Sequence, residues 1–158
     1  MTKPLALFAL FVLTLPVATA QESGGTSDVG NVADAGLILI TTRDPSSYIA
    51  TADGAALYTL VDANGEVLPC EGECLQSWPA YSGEAAADEG TGLDPSLVGT
   101  TEGAEGQLVT YNDYPLYTFS GDQQPVDVTG QAVEGFGGTW YVVGEDGEPV
   151  VEEPTTGE

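Results

Sequence analysis

The sequence contains no histidine, only two basic residues and only one methionine among its 158 residues. Without histidine, a Ser-His-Asp triad, a Cys-His pair, a blue-copper site and a typical haem or zinc site have no support. Acidic residues number 25, so the formal net charge is −23. A chain with this charge repels phosphate, which argues against nucleic acid as a partner. The charge indicates either adaptation to salt or capture of cations or a basic partner.

The first twenty residues have the three parts of a secretory signal peptide. Lys3 gives a basic start, an apolar stretch follows, and Ala18-Thr19-Ala20 has the form of a cleavage site. The apolar stretch is shorter than the roughly 20 residues of a good membrane span. We predict a signal peptide at 1–20 and an exported protein, periplasmic or extracellular, with an uncleaved N-terminal anchor as the alternative. After cleavage we expect no membrane insertion.

Polar, glycine-rich segments divide the remaining chain. We predict a flexible leader at 21–36, an acidic linker at 82–95 and a disordered tail at 152–158. The segments between them, 37–81 and 96–151, are rich in β-branched and aromatic residues and show no long helical period. The sequence therefore predicts an all-β fold, a small domain of two hairpin-based repeats with little or no helix.

Each of these segments contains one hairpin with a strong turn signal. The first hairpin turns at Asp53-Gly54 and the second at Asn112-Asp113. Both pairs are typical of the two-residue type I′ turn, in which both central residues need positive φ. A buried strand at 37–42 precedes the first hairpin, and a last hairpin turns through 145–147.

The two hairpins align with a constant separation. Ile49 matches Leu108 and Tyr58 matches Tyr117, each 59 positions apart, and further on Trp78 matches Trp140. Shared order and spacing indicate an internal repeat. We call residues 37–81 copy 1 and residues 96–151 copy 2.

Aromatic residues recur at the matched positions. Large rings bury much area per residue, which favours packing in a small core, each tyrosine against the tryptophan of its own copy. An exposed platform for a glycan, a quinone or a partner loop is the alternative. The candidate core or platform residues are Tyr58, Trp78, Tyr111, Tyr117, Phe119, Trp140 and Tyr141.

The chain has two cysteines, Cys70 and Cys74. Export and an even count favour a disulfide, and so small a loop should contribute only about 2 kcal/mol. The neighbouring Glu71 and Glu73 would raise a thiol pKa, which argues against a reactive cysteine. A structural disulfide is the main interpretation, and a reversible redox couple is the alternative.

Carboxylate-rich turns offer oxygen ligands, but none has the spacing of an EF-hand loop. Asp62 to Glu66 forms one such turn, and Asp122 with Asp127 forms another group. Turn capping is the commoner use of these residues, so we predict no cofactor and keep calcium as a weaker hypothesis. No pair of carboxylates stands out as an acid/base couple, and we predict that the protein is not an enzyme.

The segment Tyr117-Thr118-Phe119-Ser120-Gly121-Asp122 leads to a family resemblance. It fits a Y-x-[FWY]-x-x-D motif at Tyr117, Phe119 and Asp122, and the surrounding sequence resembles a family of bacterial secreted-repeat lipoproteins that carry this motif. The resemblance extends over nearly all of 37–143. Copy 1 departs from the motif, with Leu60 for the aromatic residue and Ala63 for the aspartate. The resemblance implies a small β-rich envelope domain and no particular reaction.

These observations favour an exported, non-enzymatic envelope module that binds an unknown envelope protein or glycan or has a structural role. The alternative is a redox-active accessory domain that uses Cys70 and Cys74 in envelope electron transfer or oxidative defence. A third hypothesis is a calcium-dependent assembly module. We further expect Asp122 to cap the turn after Phe119 by accepting backbone N–H groups.

Overall fold

The fold is built from short β-strands, as seen in a computed structural model that describes residues 36–42, 47–87 and 89–151. The predicted all-β class with little helix is confirmed. The signal peptide, the tail and all of the leader except Gly36 lie outside the described residues. The strands are β1 Leu37–Ile40, β2 Tyr48–Thr51, β3 Tyr58–Val61, β4 Val98–Gly103, β5 Gly106–Tyr111, β6 Tyr114–Pro115, β7 Val133–Gly135 and β8 Gly138–Val142; one α-helical turn, α1, spans Cys74–Ser77, and 3-10 turns span Glu89–Thr91 and Pro95–Leu97.

The strands form three small antiparallel sheets within the described part of the chain. Their orders are β1-β2, β3-β8-β7 and β4-β5-β6. The middle sheet contains strands from both copies, because Tyr58 of β3 is opposite Val142 of β8 and Val61 is opposite Thr139. The two sequence repeats therefore share one sheet.

The turn at Asn112-Asp113 has the geometry that its sequence predicts. The two residues have φ values of 50° and 67°, and Tyr111 is opposite Tyr114 across the turn. Asparagine and aspartate tolerate positive φ because their short polar side chains can bond to the nearby backbone. The predicted type I′ turn is confirmed here.

The turn at Asp53-Gly54 is different, and the type I′ prediction is wrong there. Only Gly54 has positive φ, at 93°. Its N–H donates to the carbonyl of Thr51, and the Thr51 N–H donates to the carbonyl of Ala55. This loop is longer than a two-residue turn, so glycine serves at one left-handed position after the bend.

The longer first loop also shifts the alignment of the copies. Leu57 N–H donates to Ile49 carbonyl, and the matching Leu116 N–H donates to Val109 carbonyl, each over 3.0 Å. Ile49 is therefore the structural counterpart of Val109, and the sequence match to Leu108 is wrong by one residue. The cause is the extra residue between the first pair of strands.

Two further hairpins surround β8. The first joins β7 to β8 through Phe136 and Gly137, whose φ values are 55° and 91°. The second follows β8, where Gly144 N–H donates to Glu148 carbonyl and Val150 N–H donates to Val142 carbonyl. The sequence predicted the second hairpin, but it did not predict β7.

The two copies exchange the segments that contain their tryptophans. The backbones of Tyr58 and Tyr117 bond reciprocally, each N–H to the other's carbonyl over 2.8 Å. In copy 1, β3 continues along β8, the strand that carries Trp140 of copy 2. In copy 2, Thr118 N–H donates to Pro79 carbonyl and so pairs with the segment that follows Trp78 of copy 1.

This exchange gives the molecule an approximate internal two-fold symmetry. Thr59 is opposite Tyr141 in one copy, and the counterparts Thr118 and Pro79 bond in the other. Two residues further along, the pairing in copy 2 continues, because Ser120 N–H donates to Ser77 carbonyl over 2.9 Å. The two halves differ because α1 replaces the first part of the strand that β8 forms in copy 2.

Buried side chains form two clusters. The first contains both tryptophans and the disulfide, and the second contains Tyr111, Leu37 and Val143. Ala87 and Leu93, from the segment between the copies, are buried in the second cluster, and Leu37 N–H donates to Ala86 carbonyl. That segment thus packs against β1.

No helix in the described part of the chain has both the length and the hydropathy that crossing a membrane requires.

Candidate functional site

The centre of the molecule is a stack of three aromatic rings. Trp78 and Trp140 stack with ring centroids 3.9 Å apart and an interplanar angle of 6°. Phe119 also stacks on Trp78, with ring centroids 4.2 Å apart and an interplanar angle of 25°. Both tryptophans are almost fully buried and Phe119 is half-buried. The rings therefore pack in the core and do not form an open platform.

Two tyrosines contact the edges of this stack in matching positions. Tyr58 meets Trp78 at 5.3 Å and Tyr117 meets Trp140 at 5.4 Å, both nearly perpendicular. Edge-to-face contacts of this kind are favourable because the ring edge is positive and the ring face is negative. As expected from the sequence, each tyrosine packs against the tryptophan of its own copy, whereas Phe119 packs against the tryptophan of the other copy.

The structure does not bring the last two candidate aromatic residues to this stack. Tyr111 is buried in the second cluster, where its hydroxyl accepts from Asp94 N–H over 2.9 Å and donates to Glu145 carbonyl. Tyr141 is half-buried and, because side chains alternate along β8, points away from the face that carries Trp140.

The motif aspartate of copy 2 binds the motif tyrosine of copy 1. Tyr58 Oη donates to Asp122 Oδ2 over 2.7 Å. The other carboxylate oxygen, Oδ1, accepts from the N–H of Thr129 over 2.9 Å and also from the Thr129 hydroxyl. Asp122 does accept a backbone N–H, but the donor is Thr129, seven residues further along the chain, and not the turn after Phe119 that we expected it to cap. Through Tyr58 the carboxylate also links the two copies.

Glycine at position 130 lets this loop lie close to the rings. A Cβ at Gly130 would lie 2.7 Å from the Trp78 ring and 3.0 Å from the Tyr58 ring. The Gly130 N–H also donates to Tyr58 Oη over 3.3 Å. The tyrosine hydroxyl thus accepts one hydrogen bond, from Gly130, and donates one, to Asp122.

Burial raises the pKa of Tyr58 far above its usual value, and its bond to Asp122 raises the pKa further. The phenol therefore stays protonated and remains a donor to the carboxylate. Burial also raises the pKa of Tyr117, and a hydrogen bond from the Cys70 backbone opposes this shift. The disulfide loop thus lies next to Tyr117, as the loop of Asp122 lies next to Tyr58.

Cys70 and Cys74 form a disulfide with their Cα atoms 5.4 Å apart. Both residues are buried, and α1 begins at Cys74. The Trp78 N–H donates to the Cys74 carbonyl over 2.9 Å. The disulfide therefore fixes the short turn that leads into the central tryptophan.

The carboxylates considered for calcium bind backbone groups of their own turns. Asp62 Oδ1 accepts from the N–H groups of Asn64 and Glu66, and these bonds lower the Asp62 pKa. Asp127 Oδ2 accepts from the N–H groups of Gln123 and Gln124. Within the described ranges, no three acidic or cysteine side chains are grouped so that they could hold a metal ion. The absence of a cofactor stays a prediction, and calcium binding stays the weaker hypothesis.

A groove lies between the end of the β4–β5 hairpin and the disulfide loop. Its volume is about 480 Å³. Leu68 and Glu71 lie on one side, Thr101 and Glu102 on the other, and the remaining lining includes Pro69, Leu108, Pro115 and Tyr117. The sequence interpretation missed this groove, because only the tertiary fold places the tip of the hairpin beside the disulfide loop.

The comparisons with known proteins agree with the family resemblance in part of the chain. Residues 99–144 match the model of a family described as a secreted repeat of unknown function. The matched range contains Tyr117, Phe119 and Asp122, but the match does not extend to copy 1 and does not test the motif itself. No curated protein and no solved structure matches the chain significantly. The expected resemblance is confirmed for residues 99–144, and a secreted family is consistent with export.

Proposed function

We propose that the protein is an exported, non-enzymatic module of the cell envelope that acts by binding a partner on a rigid scaffold. The observation that supports this proposal is the bond between Tyr58 and Asp122. The residues that define the repeated motif hold the two copies together, with the phenol and the carboxylate bound to each other and to Thr129 and Gly130. The motif residues therefore stabilise the fold, and we assign partner recognition to the surface.

The alternative is a redox-active accessory domain. In that case a reductant of the envelope would reduce the Cys70–Cys74 disulfide to two thiols, with transfer of two electrons and two protons. The observation that favours this alternative is that Cys70 lies at the groove, where another molecule could approach it. Both cysteines are nevertheless buried, at 4% and 2% exposure, and Glu71 and Glu73 surround them with negative charge.

The reduction potential of the disulfide separates the two functions. We expect a value below about −300 mV in the purified mature protein, typical of a structural disulfide. A value near about −200 mV would overturn the passive module in favour of the redox domain. The double variant Cys70→Ser/Cys74→Ser supplies the second measurement, because a passive module that still folds should complement a deletion strain as well as the wild type does.

Calcium-dependent assembly stays the third hypothesis. Asp62 and Asp127 each accept two backbone N–H groups, and a bound ion would have to compete with these bonds. Calorimetric titration of the mature protein with calcium tests this hypothesis, and a flat titration would remove it.

A further inference from the structure

We propose that the groove beside the disulfide loop binds a basic segment of a partner protein, one in which lysine or arginine residues flank an apolar side chain. This inference rests on the proposed binding function and names the surface and the class of partner. The groove is the space of about 480 Å³ between residues 67–71 and the end of the β4–β5 hairpin. Its size falls in the range of about 300–1,000 Å³ that is typical of ligand-binding clefts.

The floor of the groove is apolar and rigid. Leu108 and Tyr117 lie there at 3% and 4% exposure, and Tyr117 packs against Trp140. The disulfide fixes the facing loop, and Val67 at its start is 41% exposed although it is a large apolar residue. An apolar side chain of a partner would cover this surface without requiring the groove to rearrange.

The rim of the groove is acidic on both sides. Glu71 and Glu102 are exposed on opposite walls, and Glu105 lines a smaller hollow of about 160 Å³ that shares Cys70, Leu108 and Tyr117 with the groove. One carboxylate on each side of an apolar floor suits a partner's lysine or arginine. The apolar stem of such a side chain can lie on the floor while its charged end reaches the rim.

The charge of the whole chain decides which kind of partner can occupy the groove. Its only basic residues, Lys3 and Arg43, lie outside the described residues, so the described surface carries carboxylates without a compensating basic side chain. A second copy of this chain, an anionic lipid surface or a nucleic acid would all be repelled. A basic segment of another protein would be attracted from a distance and held at the rim.

Binding of synthetic peptides to the purified mature protein tests the proposal. The probe is a fluorescein-labelled peptide with the central sequence Lys-Leu-Lys, and binding is followed by fluorescence anisotropy at low and physiological salt. We expect saturable binding that weakens with salt. A peptide with Lys-Ser-Lys in the same frame should bind several-fold more weakly, because the floor is apolar.

Two matched double variants locate the site. Glu71→Gln/Glu102→Gln removes both rim charges, whereas Glu134→Gln/Glu148→Gln removes the same number of charges from exposed positions outside the groove. We expect the first variant to weaken binding roughly fivefold, as expected for two surface charge pairs, and the second to change it less than twofold. Val67→Ser should weaken Lys-Leu-Lys binding and leave Lys-Ser-Lys binding unchanged.

Equal losses in the two double variants would overturn the groove and show that the peptide binds the diffuse negative charge alone. Absence of binding at low salt, with every variant melting as the wild type does, would overturn the proposal as well. Neither result depends on the reduction potential. A high reduction potential with peptide binding intact would reject the passive module and keep the groove as a binding site. A low reduction potential without peptide binding would keep the passive module and reject the groove.

Discussion

The two copies of the repeat differ at the position of the motif aspartate. In copy 2, Asp122 receives the Tyr58 hydroxyl of copy 1. In copy 1 the matching position is Ala63, and the matching tyrosine, Tyr117, lies beside the Cys70 backbone and the disulfide loop. A carboxylate therefore contacts the tyrosine of copy 1, and a disulfide loop contacts the matching tyrosine of copy 2. Each tyrosine depends on a residue that the other copy contributes.

The difference also shows that internal symmetry need not extend to every contact. The tryptophans are equivalent and stack on each other, but Phe119 of copy 2 stacks on Trp78 while its counterpart, Leu60, is fully buried opposite Trp140. The copies therefore place side chains of different size at matching positions of the aromatic strand.

The largest effect is expected from the central tryptophans. Trp140→Ala and Trp78→Ala should each lower the free energy of unfolding by about 3–5 kcal/mol, since both rings are buried and stacked on each other. Urea denaturation of the two variants measures this loss. Losses of similar size would support the equivalence of the copies, and an unchanged transition in either variant would contradict the placement of that ring in the core.

A smaller effect is expected at the two tyrosines, and here the copies should differ. Tyr58→Phe removes a bond to a carboxylate and should cost about 2 kcal/mol, whereas Tyr117→Phe should cost about 1 kcal/mol because its hydroxyl has no charged partner among the described hydrogen bonds. The measurement is again urea denaturation. A double-mutant cycle with Asp122→Asn should give a coupling energy for Tyr58 and none for Tyr117.

Alkaline pH should lower the stability in part through Tyr58. An unfolded tyrosine ionises near pH 10, but burial raises the pKa of Tyr58 in the folded state. Its stabilising contribution is therefore complete below about pH 10 and is lost as the pH rises from there towards the folded pKa. Unfolding measured between pH 9 and pH 11 should show falling stability, with a shallower fall in Tyr58→Phe. An equally steep fall in that variant would assign the effect to other groups.

The smallest effect is expected at a matched pair of threonines. Thr59 is fully buried, and its hydroxyl has no hydrogen-bond partner in the described structure. Thr59→Val should therefore raise the free energy of unfolding by about 1 kcal/mol, because it replaces an unsatisfied hydroxyl with a methyl group of similar size. Thr118→Val, at the matching half-buried position, should change stability by less than about 0.5 kcal/mol. Thermal melting of both variants checks the contrast.

Local features of the fold were readable wherever one or two residues decide the backbone. Asn112 and Asp113 adopt positive φ because of their own side chains, and the alternation of Tyr58 and Thr59 follows from strand geometry. Asp53-Gly54 has the same type I′ turn signal, but the prediction was wrong there. The length of that loop depends on how Thr51 and Ala55 pair across it. The candidate site was readable only as a set of aromatic residues, of which Tyr111 and Tyr141 lie apart from the stack.

By itself the sequence determined the all-β class, the repeated hairpins, the disulfide between Cys70 and Cys74 and the negative charge, since each depends on local backbone preference or on composition. Only the tertiary structure decided that the copies exchange their tryptophan segments, that Asp122 binds Tyr58, and that a groove opens beside the disulfide loop. The physical reason is that pairing within a copy and pairing between copies satisfy the same local hydrogen bonds. In the pairing between copies Trp78 stacks on Trp140, and these two residues are distant in sequence.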